Sequence, residues 1–393
     1  MKIGILTHYY GSTNYGGNLQ AYGLCKVLEA LGHTPRQVQI DHTPSYRNLL
    51  APQKRGLKQK LKQLAKPMVR LLHPGYRKKW QAKEASRQQL QAAFATFNRQ
   101  LIPHSEAVYT PKTIQKAVGC YDVFITGSDQ VWNPIWYFPP YFLDFVPAGV
   151  PKLSYAASIG QTTLSPEIKA LYREHLKSFI AVSVREQDAV ALLADSSPVP
   201  PQWVLDPTML LSREQWSQVS TPPEIGKPYV FCYFLGNDPV CRQLAADFAK
   251  NKGLTLVTIP NATGLQNSND VGFGDLRLPD PSPEAFLGLI EKADYIFTDS
   301  FHATAFSLIF RRQFYTFPRQ GHAQMNSRIT SLTGLFGGEN HFCDTDNSQT
   351  LSQLESLPPI AYGAPTPAYL QAQEASLSFL RDSLEKAKEM LAL

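Results

Sequence analysis

Asp294-Tyr-Ile-Phe-Thr-Asp-Ser-Phe-His-Ala-Thr-Ala-Phe-Ser-Leu-Ile-Phe310 is the stretch that decides how the chain folds. Tyr295 to Thr298 is apolar and aromatic, as a strand inside a sheet requires. It ends at a polar turn and passes at once into a helix. Asp299 and Ser300 stand where an N-cap belongs, and His302 falls in the first turn. A strand end feeding a helix N-terminus is where open α/β sheets bind ligands, because free backbone N–H groups and the helix dipole both favour an anion. A histidine placed there can contact or protonate that anion. Taken alone, the stretch is equally an ordinary strand–helix junction whose histidine caps or packs.

The same alternation extends in both directions. Lys2 to Leu6 is a strand, Thr7 to Asn18 a turn, and Leu19 to Leu31 a helix stopped by Gly32. Val38 to Ile40 follows as a second strand. The glycines of this βαβ opening match neither a G-x-G-x-x-G fingerprint nor a P-loop, so no dinucleotide or ATP site is supported. Asn14, Gly16, Gly17, Asn18 and Gln20 read either as turn chemistry or as a polar loop lining a cleft. Further strands are Tyr121–Thr126, which ends at Gly127 to Pro134 with an exposed-type Trp132, then Lys152–Ser158 and Phe179–Ser183 before Arg185, and Val204 to Thr208 closes this half. A proline-rich link, Thr221 to Pro228, precedes a second series. It runs Tyr229–Phe234, helix Pro239–Lys250 with Asp238 as N-cap, Leu254–Ile259, helix Pro283–Ala293, the opening stretch, Phe314–Phe317, a helix from Asn326, and a terminal helix Glu374–Leu391. Strands alternating with helices predict parallel sheets.

The expected fold class is therefore α/β, with two doubly wound Rossmann-like domains facing one another across a cleft. Residues 1–215 form the first domain, with a basic helical insertion at about 44–105, and residues 216–365 form the second. Residues 366–393 are expected to cross back onto the first.

The 393 residues are 43% hydrophobic and 18% charged, ordinary for a globular enzyme, and no run of eighteen apolar residues suggests a spanning helix. The N-terminus reads as a strand rather than a signal peptide. The five cysteines are scattered, with no C-x-x-C pair, which predicts reduced thiols and a cytoplasmic protein. The net charge of +6 is uneven. Between Arg47 and Arg99 stand fourteen basic residues against the single acid Glu84, leaving the rest of the chain at −7. Within that segment, Gly56 to Leu72 and Arg77 to Phe97 are spaced as amphipathic helices. They either pack leucines on the domain with lysines in water, or rest on an anionic membrane surface, placing the protein peripherally at the inner face of the cell membrane. No nucleic-acid-binding motif is present. The sequence sets no oligomeric state.

Collected together, the polar strand ends are Asn14 to Gln20, Gly127 to Asn133, Ser158 to Gly160, Arg185, Gly236-Asn237, Ser300 to His302 and Arg319 to Arg328. If two sheets face one another, all these edges point into one cleft.

Three stretches carry a resemblance. Phe124-Ile-Thr-Gly-Ser-Asp-Gln-Val-Trp-Asn-Pro134, Leu205-Asp-Pro-Thr208 and Thr298-Asp-Ser-Phe-His-Ala-Thr-Ala-Phe-Ser307 resemble the signature stretches of the polysaccharide pyruvyl transferase family. Asn14-Tyr-Gly-Gly-Asn-Leu-Gln-Ala21 and Asn326-Ser-Arg-Ile329 fit the same pattern. The resemblance covers nearly the whole chain except the basic segment. It implies a fold similar to two-domain GT-B glycosyltransferases. It also implies transfer of a pyruvyl group from phosphoenolpyruvate to two hydroxyls of a sugar as a cyclic ketal, with no cofactor beyond that donor.

Such chemistry needs cations and a helix N-terminus to hold a phosphate and a carboxylate, and an acid to protonate the methylene carbon. His302 is the expected acid and Asp129 the expected base for an acceptor hydroxyl. Arg185, Ser300, Arg319 and Arg328 are the expected donor contacts. Asn14, Asn18, Gln20, Ser128, Trp132 and Asn133 are the expected contacts to the glycan or lipid-linked sugar acceptor. No metal site is expected, since no H-x-x-x-H or clustered carboxylate pair occurs. Some members of the family carry Arg-Leu-His where this chain has Ser300-Phe301-His302, which leaves the donor site one cation short. A GT-B-type glycosyltransferase using a nucleotide sugar and a non-catalytic glycan-binding or assembly protein are the competing functions.

Overall fold

The computed structural model describes residues 1–41, 46–50, 74–260, 267–319, 327–343 and 350–392. The helix expected between Gly56 and Leu72 lies outside the described residues.

Strands β1 (Lys2–Leu6), β2 (Thr34–Gln37), β3 (Val123–Thr126) and β4 (Lys152–Ser154) form a parallel sheet in the order β2-β1-β3-β4. The parallel pair β5 (Ser183–Val184) and β6 (Gln202–Trp203) continues it through single bridges, Leu153 to Ala181 and Ala157 to Val184. The second sheet contains β7 (Tyr229–Tyr233), β8 (Thr255–Thr258), β9 (Leu276–Arg277), β10 (Tyr295–Thr298) and β11 (Gln313–Thr316), in the order β11-β10-β7-β8-β9 and wholly parallel. In each sheet the chain begins centrally, winds outward on one side, then reverses to the other. The reversals fall between β1 and β3 and between β7 and β10, and such switch points open the crevices where α/β sheets bind ligands.

Most strands lie within about two residues of expectation, but β2 does not. It occupies Thr34–Gln37, ahead of Val38 to Ile40. Pro35 is tolerated there because β2 is an edge strand. Helix α1 (Tyr15–Ala30) also starts earlier than its apolar spacing suggests. Gly16, Gly17 and Asn18 are its first turn, not a loop, and the Asn14 side chain caps it by accepting from Gly17 N at 3.2 Å. Two glycines at a helix start are poor helix formers. Here Gly16 allows close packing against the other domain, and Gly17 against the backbone of His8 in its own.

That packing is apolar. Tyr15 stacks on Phe286 at 4.3 Å between centroids, and its hydroxyl donates to Pro281 O at 2.8 Å. One buried core runs through both halves, including Ile5, Leu19, Phe231, Phe286 and Phe306. Helix α2 (Pro74–Leu101) reaches the second domain through Ser86, whose hydroxyl meets both carboxylate oxygens of Asp280 at 2.7 and 2.8 Å. The helices that carry or follow the second sheet are α3 (Pro239–Lys252), α4 (Pro283–Lys292), α5 (Phe301–Ile309) and α6 (Ser327–Gly334). The terminal helix α7 (Pro367–Ala392) lies on the first domain. Its Ser376 hydroxyl accepts from Leu205 N, and Tyr369 donates to Met209 O. Among the described residues, no helix is long and apolar enough to cross a membrane.

Candidate active site

The two switch points meet at His302. Ser300 caps α5 by accepting from Ala303 N, which places His302 in its first turn, as the strand–turn–helix pattern implies. The imidazole lies against the first turn of α1. A Cβ on Gly16 would fall 1.9 Å from His302 Nδ1, so only glycine permits the approach. The N-termini of two helices from opposite domains therefore flank one histidine. His302 is 8% exposed.

On the first-domain side, Arg185 follows β5, Asp206 follows β6 and Asp129 follows β3. Arg185 Nη1 donates to Asp206 Oδ2 at 2.8 Å, and Nη2 donates to Asp129 Oδ1 at 3.2 Å. Asp206 Oδ2 also accepts from Ser128 Oγ at 3.0 Å and faces His302 Nε2 at 3.6 Å, an ion contact too long for a hydrogen bond. Its other oxygen accepts from the Thr208 amide and hydroxyl. Burial alone would raise the Asp206 carboxyl, but His302 and Arg185 outweigh it and hold the group well below the usual carboxylate range. Asp129 is lowered in the same way, burial being overcome chiefly by Arg185. Asp129 takes φ 66°, in the left-handed region that Asp tolerates better than most side chains.

Phe301 gathers cations from two elements. The Arg185 guanidinium lies 4.5 Å from its ring centroid and that of Arg328, on α6, lies 5.7 Å away. Burial and the facing charge of Arg185 push the Arg328 guanidinium down to about 9, so it remains charged at neutral pH but at a cost that an anion would offset. Arg319 stands 3.8 Å from Asp299, whose carboxylate accepts from Leu235 N and Gly236 N at the end of β7. Three buried nitrogens in this group make no hydrogen bond: His302 Nε2, Arg185 Nε and Arg319 Nε.

The expected donor contacts Arg185, Ser300, Arg319 and Arg328 thus come together around His302. The expected acceptor contacts do not. Trp132 is fully buried, stacked on Phe142 and donating to Tyr141 O, so it offers no face to a sugar. Asn133 bonds Gln130 and Ile135, Asn18 bonds Ser12 and Asn14, and Gln20 bonds Thr7, Gly17 and Ser128. Ser128 bonds Ala156 and Asp206. These five have no exposed surface, because the first turns of α1 and the loop after β3 that carry them face inward onto polar groups needing partners. Asn14 alone of the six is exposed, as the α1 cap. Sequence reasoning missed Asp206, although Leu205-Asp-Pro-Thr208 is a strand-end turn of the same kind as the others, and it missed the role of Phe301. Three cavities of about 420, 360 and 650 Å³ open elsewhere and are lined by other residues. Among the described residues, no cluster of three or more His, Cys, Asp or Glu could hold a metal ion.

Two parallel-sheet domains meeting at one site make the fold GT-B-like, and the comparisons supply the class, a transferase. Residues 14–321 match the polysaccharide pyruvyl transferase family model, and the chain belongs to that family. No curated protein matches the sequence. Among solved structures, the chain is similar to the UDP-GlcNAc 2-epimerase of Methanocaldococcus jannaschii in complex with UDP-GlcNAc and UDP, at TM-score 0.52 and 11% identity, covering 97% of this chain and 99% of that one. It is also similar to the S. aureus MnaA–UDP structure, at TM-score 0.51 and 10% identity, covering 98% and 96%. At these identities the likeness is one of fold.

Proposed function

We propose that the protein transfers a pyruvyl group from phosphoenolpyruvate to two hydroxyls of a sugar in a cell-surface polysaccharide or its lipid-linked precursor, releasing phosphate. The observation that carries this reading is the group of buried, unbonded nitrogens on His302, Arg185 and Arg319 beside the charged Arg328. Buried donors without partners are costly, and a ligand bearing a phosphate and a carboxylate would satisfy them. The cation that some relatives carry at position 300 is supplied here by the two guanidinium groups held against Phe301.

Each residue then has a distinct task. Arg185, Arg319 and Arg328 hold the two anionic groups, with the α5 N-terminus and the Ser300 cap beside them. His302, whose Nε2 faces Asp206, gives a proton to the methylene carbon, which becomes the methyl group. The first sugar hydroxyl attacks the adjacent carbon and returns its proton to the now neutral imidazole. The second hydroxyl displaces phosphate and closes the ketal, and its proton leaves on the departing phosphate as hydrogen phosphate. A carboxyl held as low as Asp129 accepts a proton poorly, so its task is to position Arg185 rather than to act as the base.

Incubation with phosphoenolpyruvate and a panel of lipid-linked sugars tests this. Phosphate release that depends on the sugar is expected. Release of nucleoside diphosphate from a nucleotide sugar, without phosphate release from phosphoenolpyruvate, would favour the glycosyltransferase alternative instead. We further place the protein in the cytoplasm, with the basic segment 47–99 resting on the anionic inner face of the membrane. Deleting residues 56–97 should abolish sedimentation with anionic vesicles, and unchanged sedimentation would reject the docking.

A further inference from the structure

A cavity of about 420 Å³ opens in the first domain at the carboxyl edge of its sheet. Its floor is the β1–α1 loop, Tyr9 to Thr13, and its opposite wall is α2. The volume is that of a small-molecule site. Tyr10 supplies aromatic surface, Phe94 backs the wall from the core, and Gln39, Gln91 and Asn98 supply amides. Arg99 and His104 add basic groups, and no carboxylate among the described residues lines the space. One polar atom here is unexplained by the fold. Asn98 Oδ1 is shielded from solvent and makes no hydrogen bond. An acceptor left in that state costs about 1–3 kcal/mol, so a bound hydroxyl donor would recover it.

The cavity is tied to the reacting centre by one short piece of chain. The loop that forms its floor ends at Asn14, the cap of α1, and the next two residues are Gly16 beyond Tyr15 and Gly17. Gly16 abuts His302, and a Cβ on Gly17 would lie 3.6 Å from Asp129 Oδ2. The opposite wall, α2, is the helix pinned to the second domain by Ser86 and Asp280. A ligand reaching from the cavity toward His302 would therefore lie along the face that α1 presents to the cleft.

We infer that this cavity is a glycan subsite, holding a pyranose ring of the acceptor other than the one that reacts. The ring stacks on the aromatic surface of Tyr10, and one of its hydroxyls donates to Asn98 Oδ1. The absence of carboxylates, with Arg99 and His104 at the wall, suits a neutral or anionic sugar and disfavours a cationic one. This inference rests on the reading of the protein as a glycan-modifying transferase, but it concerns binding and needs no turnover.

The test uses the full chain without donor. Saturation-transfer NMR with the methyl glycosides of glucose, galactose and N-acetylglucosamine should give signals from at least one of them with the wild-type protein. Ala95→Trp, at an exposed position on the cavity wall, should fill the space and abolish those signals while the melting temperature stays unchanged. Asn98→Leu should weaken binding about tenfold, as loss of one buried hydrogen bond implies. The proposal is overturned if no glycoside binds the wild-type chain, or if Ala95→Trp binds as the wild type does. Phosphate release from phosphoenolpyruvate is measured separately on the wild-type protein. Glycoside binding without phosphate release would remove the pyruvyl reading and leave the subsite, and phosphate release without glycoside binding would do the reverse.

Discussion

The molecule contains two buried arginine–aspartate clusters that look alike in composition and differ in completeness. Arg242 pairs with Asp270, with Nε at 3.0 Å and Nη2 at 2.7 Å from one carboxylate oxygen, and it lies near the rings of Phe234 and Phe273. Its Nη1 donates to Asp238 O and its Nη2 also to Gly236 O, so every guanidinium nitrogen is bonded. Arg185 has two carboxylate partners and a Phe301 ring, yet its Nε has none. Beside it stand a histidine without a hydrogen bond on Nε2 and a second guanidinium pushed down to about 9. The first cluster closes upon itself within one domain. The second is assembled from both and keeps buried nitrogens that make no hydrogen bond. Buried ion pairs are a weak guide to function; unfinished ones are a better guide.

Substitutions can break this contrast, and the largest effect is expected at His302. His302→Ala should fold as the wild type does and lose about 10² to 10⁴ in turnover, the usual contribution of a positioned acid. Wild-type turnover would assign the proton to another group. Arg242→Met should do the opposite, lowering stability by about 3–5 kcal/mol through the stranded Asp270 while the folded fraction turns over normally. A parallel loss of turnover per folded molecule would erase the distinction between the clusters. Gly16→Ala comes next. Its Cβ would collide with the imidazole, so α1 or His302 must shift, with a cost of about 1–3 kcal/mol in stability and a fall in kcat rather than in donor KM.

The smallest expected effect is on pH dependence. Anion binding needs Arg328 charged, and its guanidinium loses the proton as pH rises through about 9. Donor kcat/KM, which reports the free protein, should therefore fall above that pH, and the break should be absent in Arg328→Gln. The carboxyls behave oppositely. Asp129 and Asp206 are depressed, so their contribution to stability is fully present above their unfolded values of about 4 and is lost only as pH falls through the lower folded values. Urea midpoints should accordingly hold steady between neutrality and about pH 5.

What the sequence made legible was the placing of functional side chains at strand ends. Tyr295 to Thr298 and the cap at Ser300 are local features, and local pattern was enough to put His302 at a helix start. Trp132 shows the limit. It sits in a polar turn after a strand and reads as exposed, but Phe142 and the carbonyl of Tyr141 cover it, and those contacts are tertiary. Gly16 was misread for the same reason. Two glycines weigh against a helix until the imidazole packed against the first of them is seen. Asp206 stayed hidden because Asp-Pro-Thr is sufficient as a turn, and it does in fact cap one, accepting from Thr208 N with one oxygen. Only its other oxygen, which meets Arg185, Ser128 and His302, gives the residue a second task.

The most direct test of the central claim is a calorimetric titration of phosphoenolpyruvate into three proteins without acceptor: the wild type, Arg185→Met and Arg242→Met. The wild type should bind, Arg242→Met should bind equally per folded molecule, and Arg185→Met should lose about thirtyfold or more, as removal of a buried charged contact implies. Equal affinity in wild type and Arg185→Met, or no binding to any of the three, would contradict the assignment of the unfinished cluster as the donor seat.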